Sequence, residues 1–206
     1  PCWGREGLMT KTWLSIFFIV LIWSGINPKD YYTWVLEVMP ALIALVLLIF
    51  TQRRFKFTNL AYSLILVHCI ILMIGGHYTY AEVPLFNWLK DVLDLERNNY
   101  DKVGHFAQGF IPAIVAREIL IRNNVVENKY WLITFVITIC FSITALYELI
   151  EWWVSELIGE SAEAFLGTQG YIWDTQSDMG FALLGALLSL VLLSHYHDRQ
   201  LESIKT

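Results

Sequence analysis

Charge is scarce in this chain. Of 206 residues only 16% are Asp, Glu, Lys or Arg, against 56% hydrophobic and 15% aromatic, and a mean hydropathy of +0.51 excludes an ordinary water-soluble domain. Basic residues are rarer than acidic ones, 14 against 19, for a formal net charge of -5. With no dense basic patch to meet duplex phosphates, this argues against nucleic acid as a partner. Cysteine is nearly absent, and Cys2, Cys69 and Cys140 lack the paired spacing of a zinc or redox motif. Cys69 and Cys140 fall within apolar runs, where a small polarisable side chain packs against a neighbouring helix. There is no internal repeat, no nucleophilic serine elbow, and no small-residue cleavage site after the first apolar run, which therefore reads as a retained span rather than a signal peptide.

Long apolar runs are what the chain has instead. Six are evident, Thr12 to Ile26, Thr33 to Phe50, Asn59 to Tyr80, Lys102 to Ile121, Tyr130 to Trp153 and Thr175 to Tyr196. Each approaches the roughly 20 residues that cross a hydrocarbon core of about 30 Å. The first is short and the fourth is the most polar. Asn27-Pro28, Gln52-Arg53-Arg54 and Asn123-Asn124 punctuate them. The expected fold is all-α, a polytopic membrane helix bundle with about six transmembrane helices. Met9-Thr10-Lys11 reads as the true start, making residues 1–8 a non-native or mis-called extension and residues 9–206 a single transmembrane helical domain.

Lys and Arg set the orientation. Lys11, Arg53, Arg54, Lys56, Arg117, Arg122, Lys129, Arg199 and Lys205 fall on alternate connections, against Lys29, Lys90, Arg97 and Lys102 on the others, so both termini are expected to be cytoplasmic. The segment Val154 to Trp173 has no Lys or Arg but contains Glu156, Glu160 and Glu163, as an outward loop would. Trp23, Trp34, Trp88, Trp152, Trp153 and Trp173 then form an outer aromatic belt, with Trp13 and Trp131 at the inner one.

That topology gathers polar residues at one side: His77, Tyr78 and Tyr80 after the third run, Asp101, Lys102 and His105 opening the fourth, Glu148 and Glu151 closing the fifth, and Asp174 and Asp178 opening the sixth. Asp101 and Asp174 each have a competing explanation as helix caps. Glu148 and Glu151 sit where the helix dipole disfavours a carboxylate; they share a face that Thr144 and Cys140 continue. A salt bridge to Lys102 or a protonated Glu gluing helices is the bland alternative for Glu148. Asp178 shares its face with Ala182, Gly185 or Ala186, and Ser189, small residues that admit a neighbouring helix. Asp101, His105, Gln108 and Pro112 mark an inward polar face on the fourth helix. Gly75-Gly76 would let the chain bend or approach a ligand beside His77, with Tyr78 and Tyr80 as interfacial residues. His68 reads as a neutral hydrogen-bonding core histidine, and Arg117 and Glu118 as an interfacial pair near the cytoplasmic end.

The stretches Asn-Asn-Tyr-Asp101-Lys102-Val-Gly-His105-Phe106, Tyr147-Glu148-Leu-Ile-Glu151-Trp152 and Trp173-Asp174-Thr-Gln176-Ser-Asp178-Met179 resemble motifs of the YjdF-type bacterial inner-membrane proteins. The resemblance covers nearly everything from Met9 onward. It implies a multi-pass protein of the bacterial inner membrane in a family with no established activity. Over the second half, the Asp101-Lys102-x-x-His105-Phe106 motif, the Glu148 helix and the aspartate-led last helix are similar to the VanZ-like membrane proteins, which are linked to glycopeptide resistance. The chain departs from that pattern in having no arginine shortly before Asp178 and no Asn three residues after it.

The sequence therefore points to a polar pocket facing the periplasm, with His77, Asp101, Lys102, His105, Glu148, Glu151, Asp174 and Asp178 as ligand-binding candidates. Binding of an envelope lipid headgroup or related cell-envelope ligand is the first reading. The second is a metal-dependent or acid/base enzyme acting on an envelope lipid or cell-wall intermediate, with catalytic candidates His105, Glu148, Glu151 and Asp178. There a divalent metal would be the cofactor, and His105, Glu148 and Asp178 its candidate ligands. A proton- or cation-coupled transporter ranks last, because polar residues thin out in the inner half of the spans.

Overall fold

A chain segment inside a bilayer must close its backbone hydrogen bonds on itself, and each of the six apolar runs does so as a helix. In the computed structural model, which describes residues 3–158 and 172–205, the elements are α1 (Trp3–Gly25), α2 (Tyr31–Thr51), α3 (Asn59–Tyr78), α4 (Pro84–Val92), α5 (Tyr100–Arg122), α6 (Lys129–Ile158) and α7 (Asp174–Lys205). The described residues contain no strand. The chain is an all-α polytopic membrane helix bundle. Helix α1 runs without a break through Met9, while Pro1, Cys2, Glu160 and Glu163 lie outside the described residues.

Local chemistry sets the helix starts. Asp30 accepts the Thr33 N-H at 2.6 Å and caps α2; these Thr33 hydrogen bonds hold the Asp30 carboxyl below its ordinary value. Thr58 caps α3 through Ala61 N at 3.3 Å, and Pro84 occupies the first turn of α4. Helix α4 is an addition to the expected elements. It is nine residues long, too short to register as a span, with Leu85, Trp88 and Val92 exposed along one side.

Two groups of three helices form the bundle. In one, Phe17 of α1 packs with Val38, Ala41 and Leu45 of α2 and with Cys69 and Met73 of α3. In the other, Ala113, Ala116 and Leu120 of α5 meet Val136 and Cys140 of α6 and Ala186 of α7. Both inner cysteines are thus buried packing residues. The outward faces carry large apolar side chains, such as Ile19, Phe50 and Val191, as lipid contact requires. Helices α2, α3, α6 and α7 are long and apolar enough to cross a membrane, with a shorter apolar stretch at Thr10–Gly25. Helix α5 packs against α3, α6 and α7, and that shielding from lipid is what lets it be the most polar long segment.

The tightest crossing is α5 on α7. A Cβ on Gly109 would fall on the Ala182 carbonyl, and one on Gly185 would fall on the Phe106 carbonyl, so backbone meets backbone through the small-residue stripe that begins at Asp178. At the α5 C-terminal end, Arg117 and Glu118 are not a pair with one another, contrary to expectation. Arg117 reaches His197 Nδ1 at 3.0 Å and Asp198 at 2.7 Å. Glu118 accepts from Thr58 N and Oγ1 at 2.9 and 2.7 Å and from Arg122 at 2.8 Å, with His197 Nε2 at 3.1 Å. Both side chains are buried, turned to neighbouring segments rather than to water.

Two of the expected belt tryptophans also turn inward: Trp34 donates to Ser24 Oγ at 3.1 Å and Trp13 to the Tyr62 carbonyl at 2.8 Å. Trp23, Trp88, Trp131, Trp152, Trp153 and Trp173 are exposed.

Gly109→Ala is expected to destabilise the bundle by about 1–3 kcal/mol, because no flexible side chain can yield. Gly180→Ala, where a Cβ meets nothing within 4 Å, should raise stability by about 0.5–1 kcal/mol. Thermal unfolding in detergent compares the two.

Candidate functional site

The seam between the two helix groups opens into a cavity of about 180 Å³ at the end holding the α5 N-terminus. Its walls come from α2, α3, α5, α6 and α7, and six carboxyl groups line it: Glu37, Asp101, Glu148, Glu151, Asp174 and Asp178. His105 and His68 line it too, with Tyr80 and Tyr147.

Two cations bind the outer aspartates. Arg97, in the link before α5, makes a bidentate pair with Asp174 at 2.8 and 2.6 Å; burial opposes its charge, and the Asp174 hydrogen bond and field outweigh that, leaving the guanidinium more basic than usual. Lys102 reaches Asp174 and Asp178, each at 2.6 Å. Asp174 is therefore an ion-pair partner for α5 rather than a cap for α7. Asp101 likewise turns to its own helix, 3.3 Å from His105 Nε2 and 3.9 Å from both Arg97 and Lys102.

Deeper in, partners run out. His105, 5% exposed, sets Nδ1 at 3.2 Å from Gln108 Oε1 and 3.6 Å from Glu148 Oε1. Thr144 donates to the same Gln108 oxygen at 3.2 Å. Glu148 is 8% exposed and its Oε1 accepts no hydrogen bond. Among the described ion pairs Glu148 has His105 as its partner, at 3.6 Å, in place of the expected Lys102. One ligand atom each from Asp101, His105 and Asp178 lie within 4.8 Å of one another. This trio overlaps the expected metal set of His105, Glu148 and Asp178, with Asp101 in the place of Glu148.

Of the expected ligand-binding residues, Asp101, His105, Glu148, Glu151, Asp174 and Asp178 line the cavity and Lys102 bridges two of them. His77 is elsewhere. Its Nδ1 lies 2.9 Å from the Ser24 carbonyl and its ring packs on Trp23, which ties α3 to α1.

Tyr80 departs from its expected interfacial role: it is buried and its ring lies between Gly75 and Gly104, where a Cβ on either would press on it. Gly75 and Gly76 both lie within α3. They make room for Tyr80 and for the Glu37 stem, 3.1 Å from a Cβ placed on Gly76. Thr79 and Tyr80 hold φ of 57° and 53°, a left-handed pair that non-glycine residues rarely adopt and that turns the ring inward at a cost of about 1–3 kcal/mol each.

Glu37, Tyr147 and Arg97 were not anticipated. Glu37 is one acid in an apolar run, yet Thr33, Glu37, Ala41 and Leu45 recur at fours and are all buried, a stripe visible in the sequence. Tyr147 donates to Glu37 Oε2 at 3.3 Å across the seam; nothing in one sequence marks that pairing. His68, expected in the core, sits on the cavity wall.

The family described as "Predicted membrane protein (DUF2238)" matches residues 9–199. Inner membrane protein YjdF of Escherichia coli (strain K12) is 50% identical over 194 residues, covering 94% of this chain and 93% of that protein. No solved structure matches significantly. The more distant likeness to the VanZ-like proteins is not shown by these matches.

Lys102→Met is expected to lower stability by about 3 kcal/mol, since it strands buried Asp178 and leaves Asp174 with Arg97 alone, and Asp178→Asn in the same chain should restore part of the loss. Thermal unfolding of both proteins in detergent measures the difference.

Proposed function

The chain belongs to the DUF2238 family of predicted membrane proteins, and from that premise we propose that its cavity binds the polar headgroup of an envelope lipid, or a related cell-envelope ligand. The cavity faces the periplasm of a bacterial inner membrane in this reading. The name of the Escherichia coli relative supports the membrane, and the Lys and Arg distribution supports the side, because the cavity lies at the end with fewer of them.

One observation carries the proposal: Glu148 Oε1 is buried against the cavity without a hydrogen bond. Leaving a buried acceptor unmade costs about 1–3 kcal/mol, a penalty that a ligand donor or cation entering the cavity removes. The way in favours a lipid. Helices α2 and α6 are joined across the seam by the long Tyr147 to Glu37 bond, and in this reading a headgroup enters sideways from the bilayer by parting that contact.

Transport fits less well. Beyond the cavity α5 continues with buried Ile111, Ala113, Ile114 and Ala116, and the far end is closed by the Glu118 and His197 network. Catalysis stays second because the chain carries no nucleophile motif.

Wild-type protein purified in mild detergent should retain about one lipid per chain by quantitative mass spectrometry, and Glu148→Gln and Glu151→Gln should retain several-fold less. Equal retention by all three proteins would refute the proposal.

A further inference from the structure

Six carboxyl groups around one cavity, with Arg97 and Lys102 as the cations bound to them, repel the phosphate that most lipid headgroups carry. A positive charge between headgroup and wall offsets that repulsion. We infer that this charge is a divalent metal ion ligated by Asp101, His105 and Asp178, with Glu148 supporting it. The inference rests on the reading of the cavity as a headgroup pocket and names how the headgroup is held.

Geometry supports a metal over a bare ammonium group. A tetrahedral ion with bonds of about 2.1 Å sets its ligands about 3.4 Å apart, and His105 Nε2 already lies 3.3 Å from Asp101 Oδ1. The third ligand, Asp178, completes a trio whose atoms fall within 4.8 Å, a gap that side-chain rotation closes. Lys102 holds Asp178 Oδ1 at 2.6 Å, leaving the second oxygen for the ion.

The imidazole is also prepared for ligation. Gln108 Oε1 accepts from Nδ1 at 3.2 Å and from Thr144 at 3.2 Å, which leaves Nε2, now 3.3 Å from Asp101 Oδ1, as the nitrogen that would exchange its proton for the ion. Such outer-shell bonds fix the tautomer of metal-bound histidines. Glu148 Oε1 stands 3.6 Å from Nδ1, placed to strengthen that contact or to accept from a metal-bound water. It is an acceptor that the protein's own hydrogen bonds leave unused, which makes it an observation separate from the acidic cluster. One imidazole and two carboxylates suit a first-row ion such as zinc or manganese better than calcium or magnesium.

The test uses the full chain in detergent, stripped by chelator, loaded with zinc and desalted, then measured by plasma mass spectrometry. About one zinc per chain is expected in the wild type, with affinity at least tenfold weaker in His105→Ala and Asp178→Asn and unchanged in the exposed control His195→Ala. Should those variants fail to fold, cobalt loading of the wild type decides. Visible d-d bands of a nitrogen-oxygen site uphold the inference, and a hexaaqua-like spectrum overturns it. No bound zinc in folded wild type, or equal zinc in all variants, also overturns it. If the wild type holds no metal yet keeps a lipid that Glu148→Gln loses, the metal inference falls and the headgroup reading stands. If it binds metal but retains no lipid, the metal site stands and the headgroup reading falls.

Discussion

Helices α5 and α7 approach until Gly109 lies on the Ala182 backbone and Gly185 on the Phe106 backbone, and the polar chemistry of the protein is registered by that approach. In hydrocarbon there is no hydrophobic drive to bring two helices together, so close van der Waals packing through small residues must do so. Once it does, side chains at both ends of the crossing have no choice of partner. At one end Lys102 falls between Asp174 and Asp178. About 25 Å away at 1.5 Å per residue, Arg117 and Glu118 fall against His197 and Asp198. A slip of one residue along α7 would break every one of these contacts, so the ion pairs fix register while the glycines supply attraction.

Placing the most polar helix at the centre follows from the same logic. A charged group facing lipid costs several kcal/mol, and α5 carries Asp101, Lys102, His105, Arg117 and Glu118. Surrounded by α3, α6 and α7, it offers those groups to other protein groups or to the cavity. The outer helices can then remain apolar where lipid meets them. The cavity is a consequence: the α1–α3 group meets α5 through α3, and between α2 and α6 the seam is spanned only by Tyr147 and Glu37 among the described hydrogen bonds.

Reading the sequence recovers the six long helices because a 20-residue apolar run has few options inside a bilayer. Its boundaries fall close to the structural ones, as for Thr33 to Phe50 against Tyr31–Thr51. The grouping of Asp101, His105, Glu148, Glu151, Asp174 and Asp178 is legible too, since topology alone sends those helix ends to one side. What one sequence does not carry is which helix neighbours which. His77 shares its end of the bundle with the cavity, but the packing of α3 on α1 turns it to Ser24. Tyr80 looks interfacial until two left-handed residues fold it inward. Glu37 looks isolated until α6 supplies Tyr147. Arg117 and Glu118, adjacent in sequence, suggest each other, whereas their α7 partners are about 80 residues away.

The two buried acidic sites of this chain make a controlled comparison. Both lie where α5 meets α7, both contain a histidine beside a glutamate, and both are shielded from lipid. Glu118 is satisfied on every side, taking two bonds from Thr58, one from Arg122 and a contact with His197. That is how a carboxylate is arranged when its task is to hold helices together. Glu148 has the Thr175 side chain as a hydrogen-bond partner and His105 Nδ1 at 3.6 Å, yet its Oε1 accepts no hydrogen bond and lines open volume. The fold is therefore capable of saturating a buried glutamate, and among the described glutamates Glu148 alone keeps a buried oxygen without a hydrogen bond. The difference between the ends, more than the number of acids, separates the closed cluster around Glu118 from the open volume beside Glu148.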